Sequence, residues 1–254
     1  MYIQLIWHKI LGEIFKPKMT NFRSLRLIII VYLIFETDAM NYLSHIYLSG
    51  ESEEIKLGNF IGDFVKGQQF RKYPTEVAKG ILLHRQIDSF TDSHDIVKEC
   101  ITTLRPGFGK YSGIVIDIFL DHFLAVNWHR YSFEKLSTFT KHFHAVLLSN
   151  FFQLPSQVKM FLPFLIQNKR LQSYVSFEGI EKTLSIMVSR TSLPSETKFA
   201  MKILEDEYGF FNNAFNQFFP ELIQFVELKG NLRIERPFLE TVRIDTIEKL
   251  NRNC

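Results

Sequence analysis

The sequence predicts an all-α fold, one compact multi-helix domain, and three observations point to it. Long apolar-periodic stretches recur behind Ser, Thr or Pro residues of the kind that open helices. The run Tyr111–Trp128 is almost wholly apolar and too long for an ordinary strand. No stretch shows sustained apolar–polar alternation with hairpin turns between, which excludes a major sheet.

The elements follow in order from Met40. MNYLSHIYLS, residues 40–49, reads as an amphipathic opening helix. Ser52 ahead of Glu53 and Glu54 is an N-cap with acids in the first turn, opening a helix towards Asp63. Pro74 and Thr75 open the helix that carries Gly80–Phe90, and Ser93 with Asp95 caps another to about Leu104, stopped by Pro106–Gly109. After the apolar helix Tyr111–Trp128, Ser132 starts one to about Asn150 and Pro155 one to about Asn168. Ser176, with Gly179 and Glu181, begins a helix ending near Arg190. Ser192 and Pro194 open a long final helix with candidate breaks at Gly209 and Pro220.

Residues 1–39 and 229–254 stand apart from this pattern. Lys16, Lys18, Arg23 and Arg26 lead into the apolar run Leu25–Phe35, which falls short of the roughly 20 residues a spanning helix needs. The same features fit a targeting or membrane-associating segment, although no small-residue cleavage site follows. They also fit an ordinary extra helix, or an over-long start with the natural one at Met40. The division is therefore an N-terminal extension 1–39, a helical domain 40–228 for which no stable membrane insertion is expected, and a tail 229–254.

At 254 residues and 46% hydrophobic content the chain has enough length and apolar surface for a substantial core. The 26 Phe residues are read chiefly as core. The formal charge of +3 carries no hint of a nucleic-acid partner, because it resides in the ends: residues 1–39 and 229–254 together hold 11 Lys/Arg against seven Asp/Glu, which leaves 40–228 with 19 against 20. Two cysteines, Cys100 and Cys254, make no disulfide framework or Cys-rich zinc site, and as free thiols they indicate a reducing, cytoplasmic setting.

Four segments carry candidate chemistry. In IVIDIFLDHFLAVNW, Asp117 and Asp121 stand one helical turn apart among bulky apolar neighbours, where like charges repel and burial is costly. A cation would turn that repulsion into coordination, and His122, about 100° further round the helix, could add a nitrogen. A carboxylate pair bonded to an Arg or to helix N-termini is the alternative. In GILLHRQIDSFTDSH, His84, Asp88 and Asp92 form one polar stripe at i, i+4 and i+8. His84 and Asp88 read as ligands of one ion, Arg85 beside them as a phosphate fork, and Asp92 and His94 as capping or solvated residues. In GNFIGDFVKG, Asp63 is the one acid of an apolar run that ends at Lys66 and Gly67. Gly58 and Gly62, four apart, bare the backbone for close approach of a helix or ligand. His45 is a single His on the opening helix and, taken alone, reads as a core residue.

The start MNYLSHIYLSG, then GNFIGDFVKG, GILLHRQIDSFTDSH and YSGIVIDIFLDHFLAVNW, in that order and spacing, resemble the acyl-carrier-protein phosphodiesterases. SFEGIEKTLSIMVSR, residues 176–190, adds a weaker likeness, and the resemblance spans about 40–228. It implies a helical fold distantly like the HD-type metal phosphohydrolases. It also implies a Mn-assisted hydrolysis, within fatty-acid metabolism, that removes the 4′-phosphopantetheine arm from a serine of holo-acyl carrier protein. The family's motif acids and histidines fall on His45, Asp63, His84, Asp88, Asp92, Asp117, Asp121 and His122. Of these, His45, Asp63, His84, Asp88, Asp117 and Asp121 are the expected ligands of a divalent ion. Asp63, Asp88, Asp121, His122 and Arg85 are the expected catalytic groups. Arg85, Lys66, Arg105 and Lys110 are expected to face substrate, within a docking patch that also draws on Arg71, Lys72 and Lys79. The sequence departs from the pattern at Gly62, where a small Ala is common, and at Phe108-Gly109-Lys110, which replaces a more Arg-rich approach to Tyr111. The competing functions are a metal phosphohydrolase for a nucleotide or other small phosphodiester, and a non-catalytic helical carrier-binding module.

Overall fold

The computed structural model describes residues 42–237, and among them the chain forms twelve α-helices, four 3₁₀ segments and no strand. The helices are α1 (Tyr42–Tyr47), α2 (Glu53–Phe60), α3 (Thr75–Ser93), α4 (Asp95–Phe108), α5 (Ser112–Val126), α6 (Trp128–Tyr131), α7 (Leu136–Ser149), α8 (Ser156–Gln167), α9 (Arg170–Ser173), α10 (Phe177–Arg190), α11 (Thr197–Asp206) and α12 (Tyr208–Gly230). The protein is all-α, as its sequence predicts.

Two caps act as the sequence indicates. Ser52 Oγ accepts from the Ile55 amide at 3.2 Å ahead of α2, and Ser176 Oγ accepts from the Gly179 amide at 3.1 Å ahead of α10. Prolines interrupt less than expected. α4 passes through Pro106 and ends at Gly109, whose φ of +52 turns the chain away. In a last turn Pro106 removes one amide bond, while Leu104 and Phe108 keep that turn anchored in the core. α12 likewise runs through Pro220, because Phe215, Phe218, Phe219, Leu222, Ile223 and Val226 bury one face on both sides of it. The break in the final helix lies at Glu207, between α11 and α12.

The core is aromatic. Phe60, Phe108, Phe119, Phe123, Phe215, Phe218 and Phe219 are fully buried, and edge-to-face pairs such as Phe60–Phe143 (5.1 Å between centroids) and Phe119–Phe211 (5.3 Å) tie the helices together. Phe133 and Phe152 are the large exceptions, both exposed. α5 runs through the centre, with ten of its fifteen residues buried.

α2 and α3 cross at glycines. A Cβ on Gly58 would lie 2.0 Å from the Val77 carbonyl oxygen and 2.9 Å from the Gly80 Cα; a Cβ on Gly62 would lie 2.3 Å from Cγ of His84. The bared face of GNFIGDFVKG therefore receives a helix. Past α12, Asn231 adopts the left-handed conformation (φ 46) and the chain turns back on itself. Ile234 is buried, its amide donates to Glu227 Oε1 at 3.0 Å, and the Arg236 guanidinium forks onto the same carboxylate at 2.9 and 3.2 Å. Residues 231–237 thus pack on the helical body, whereas 238–254, Leu25–Phe35 and the rest of 1–39 lie outside the described residues. Among the described residues no helix is long and apolar enough to cross a membrane.

Candidate active site

Three segments distant in sequence meet around Asp88. α3 presents His84 and Asp88 one turn apart, α1 lays His45 against them, and the 3₁₀ turn Gly62–Phe64 after α2 brings in Asp63. The two imidazoles stack at 4.2 Å between centroids, and each directs Nε2 at a different oxygen of Asp88: His45 to Oδ1 and His84 to Oδ2, both at 3.3 Å. Asp63 Oδ1 lies 3.1 Å from the same His84 nitrogen. Both histidines are buried, while the Asp88 side chain remains 43% exposed and opens the group to solvent.

His45, Asp63 and Asp88 of this group line a cavity of about 300 Å³. Ser44, His45, Asp63, Asp88, Asp92 and Asp117 are among its polar lining residues, and Lys110 is the one Lys or Arg among them. Ile87, Ile114, Leu120, Phe218, Phe219 and Leu222 line its apolar side. Burial works against a charged His45, but its hydrogen bond to Asp88 and the charges of Asp88 and Asp63 outweigh that and lift its pKa to about 9. Asp88 is displaced the other way: burial raises it, and the stronger pull of His45, with His84 and Lys66, takes it below the usual carboxylate range. Asp117 is pushed well above that range by burial and by repulsion from Asp88, Asp92 and Asp121. Asp92 is raised by burial and by Asp88.

These features fit a divalent cation. One nitrogen from each of His45 and His84 and one oxygen of Asp88 lie within 4.8 Å of one another, a mixed imidazole–carboxylate set. The repulsion that raises Asp92 and Asp117 in one cavity is what a cation would relieve.

Other expected site residues are held elsewhere. Asp121 is fully buried with both carboxylate oxygens turned to the start of α1: Oδ2 accepts from the Leu43 amide at 3.0 Å, and Oδ1 from the Ser44 amide at 2.8 Å and from the Ser44 hydroxyl. Burial raises its pKa to about 6, less than it otherwise would because those donors favour the anion. His122 points round α5 to the Tyr174 carbonyl (2.7 Å) and the Tyr208 hydroxyl (3.2 Å), and is not among the cavity's lining residues. Arg85 donates to the Val65 carbonyl at 2.7 Å, stacks on Phe70, and lines a separate open groove with Phe90 and Phe225. Arg105 and Lys66 are exposed. Asn59 and the α12 wall were not singled out by the sequence. Asn59 had one available signal, as the single amide in the otherwise apolar approach to Asp63.

A family model described as acyl carrier protein phosphodiesterase matches residues 40–222. The chain belongs to the acyl carrier protein phosphodiesterase family. Relatives of that name share 30% identity over 185 residues in Enterobacter sp. (strain 638), covering 72% of this chain and 96% of the relative. In Yersinia pestis the figures are 28% over 186 residues, 73% and 96%. In Photorhabdus laumondii they are 29% over 194 residues, 75% and 96%. Every residue of the His45–Asp63–His84–Asp88 group and of the cavity wall falls inside the family match. No solved structure gives a significant match to the chain.

Proposed function

We propose that the chain is a metal-dependent phosphodiesterase that hydrolyses the 4′-phosphopantetheine arm from the serine of holo-acyl carrier protein. The observation that carries this reading is the convergence of His45, His84 and Asp88, the first and last of which line a cavity inside the family match. These three side chains with Asp63 would hold a divalent ion, Mn(II) as the family resemblance implies, which would supply Lewis acidity towards a phosphoryl oxygen and acidify water.

The chain's own residues account for the rest. Lys110 places positive charge on the cavity wall for the phosphoryl oxygens, a role its position suits better than that of Arg85. Phe218, Phe219, Leu222, Ile114 and Leu120 make a dry side along which the arm lies. Water oxygen bonds to phosphorus and releases one proton to the solvent, the bond from phosphorus to the serine oxygen breaks, and that oxygen takes a proton. Asp117, whose pKa burial and the charge of Asp88 push well above the usual carboxylate range, is assigned to deliver it. Asp121 and His122 act through structure, the first by holding α1 and the second by tying α5 to Tyr174 and Tyr208. The acidic carrier docks on exposed Lys66, Arg71 and Lys72 beside Asp63, with Lys79, Arg105 and Lys110 as further candidates. Cys100, a buried free thiol, supports a reducing, cytoplasmic setting.

The test is incubation of the full chain with holo-acyl carrier protein and Mn(II), followed by mass spectrometry. Loss of the arm is expected, and Asp88→Ala should abolish it with the helical signal intact. No release from a folded, metal-loaded sample would reject the substrate, and cleavage confined to a nucleotide or other small diester would reassign it.

A further inference from the structure

Asn59 lies in the last turn of α2, fully buried, with every polar atom of its side chain committed. Its Nδ2 donates to the His45 carbonyl at 2.8 Å and to Ser49 Oγ at 3.0 Å. Ser49 Oγ directs its own hydrogen to the same His45 carbonyl, 2.8 Å away, so towards Asn59 it can only accept. The amide therefore has one orientation, with Oδ1 facing Nδ1 of His45 at 2.8 Å. An amide oxygen only accepts, so the imidazole must carry its hydrogen on Nδ1.

We infer that Asn59 is the positioning residue of the site: it locks His45 with Nδ1 protonated and so assigns Nε2, the nitrogen that faces Asp88, to the metal. A histidine can ligate only through an unprotonated nitrogen, and the partner of its other nitrogen decides which one that is. The same side chain grips the His45 backbone carbonyl, so one residue sets ring tautomer, ring rotation and chain position together. A neutral amide suits the position. Its oxygen accepts from Nδ1 without adding a charge to the site.

The inference rests on the reading of His45, His84 and Asp88 as a metal-holding set, and its test does not depend on turnover. Mn(II) binding is measured against pH for the full chain, for Asn59→Leu and for Asn59→Asp. Asn59→Leu should bind about 10- to 100-fold more weakly at every pH, the usual cost of losing such an orienting partner. Asn59→Asp keeps an acceptor for Nδ1, so it should recover most of that affinity. A residue that merely filled space would make the Asp variant, charged and stripped of two donors, at least as damaging as the Leu variant. Equal losses in both, or a Leu variant within about twofold of wild type, overturn the inference. Proton–nitrogen NMR of the metal-free protein, with His45 in its neutral form, is the second measurement: the ring should carry its hydrogen on Nδ1 and lose that preference in Asn59→Leu. A His45 protonated only at Nε2 overturns the inference even if a variant fails to fold, as does a wild-type chain that binds no Mn(II). Normal Mn(II) binding and the expected Nδ1–H signal without arm release would instead remove the substrate assignment alone.

Discussion

Replacing Gly58 by Ala tests how the site is assembled, because the crossing of α2 and α3 fixes where His84 meets His45. The added methyl would sit 2.0 Å from the Val77 carbonyl oxygen and 2.9 Å from both the Val77 carbonyl carbon and the Gly80 Cα. All three are backbone atoms, so no side chain can rotate away, and the closest is about 1.4 Å short of ordinary contact, which begins at 3.4 Å. The helices must separate. Overpacking of this kind costs about 3 kcal/mol, and the better helix propensity of Ala returns about 1 kcal/mol of it. A net loss of about 2 kcal/mol corresponds to a fall in Tm of roughly 4–8 °C for a domain of this size. His84 lies one turn beyond Gly80 on α3, so a shift of about 1 Å would also misalign its Nε2 and lower turnover about 100-fold. Gly209→Ala is the control: its Cβ meets nothing within 4 Å, and the variant should melt at or slightly above the wild-type temperature. Thermal circular dichroism and a Mn(II) titration read both effects. Gly58→Ala that melts with wild type and binds metal normally would refute the proposed dependence of the site on this crossing.

Mn(II) binding by the wild-type chain should strengthen with pH, by up to about tenfold per unit, until it levels off near 9, because the ion must displace the proton that Asp88 and Asp63 help His45 retain; isothermal titration at several pH values that showed no such slope would contradict it. In the metal-free protein the sign is opposite: His45 has a folded pKa of about 9 against 6.5, so its stabilisation is complete below 6.5 and lost as pH rises through 9. Denaturant midpoints across that range, compared with His45→Gln, report it. Asp121→Ala leaves the Leu43 and Ser44 amides without their acceptor and should cost about 3 kcal/mol in denaturant unfolding, whereas His122→Phe should leave Mn(II) binding within about twofold of wild type; the reverse pattern would return His122 to the site. Arg236→Ala removes the fork that ties residues 231–237 to Glu227, a partly exposed pair worth about 1 kcal/mol, and an unchanged melting curve would mean that the return segment adds nothing to stability.

The sequence by itself determined the helical class, most helix starts and the segments that carry the chemistry, because these are local properties. Apolar periodicity, the Ser52 and Ser176 caps and the long apolar run of α5 act over one or two turns, and their physics is present in the order of residues. Where local signals were weak against burial, tertiary packing won: α4 and α12 continue through Pro106 and Pro220 because their apolar faces stay in the core. Tertiary structure also decided what each motif residue does. Asp117 and Asp121 share a helix and a spacing, yet one lines the cavity and the other anchors α1, since only the arrival of α1 at one turn of α5 distinguishes them. His45, a core histidine when read alone, joins His84 and Asp88 through the same arrival. Residue type sets what an ionisable group can do, and which donors, acceptors and charges surround it is settled only when segments distant in sequence come within hydrogen-bonding reach.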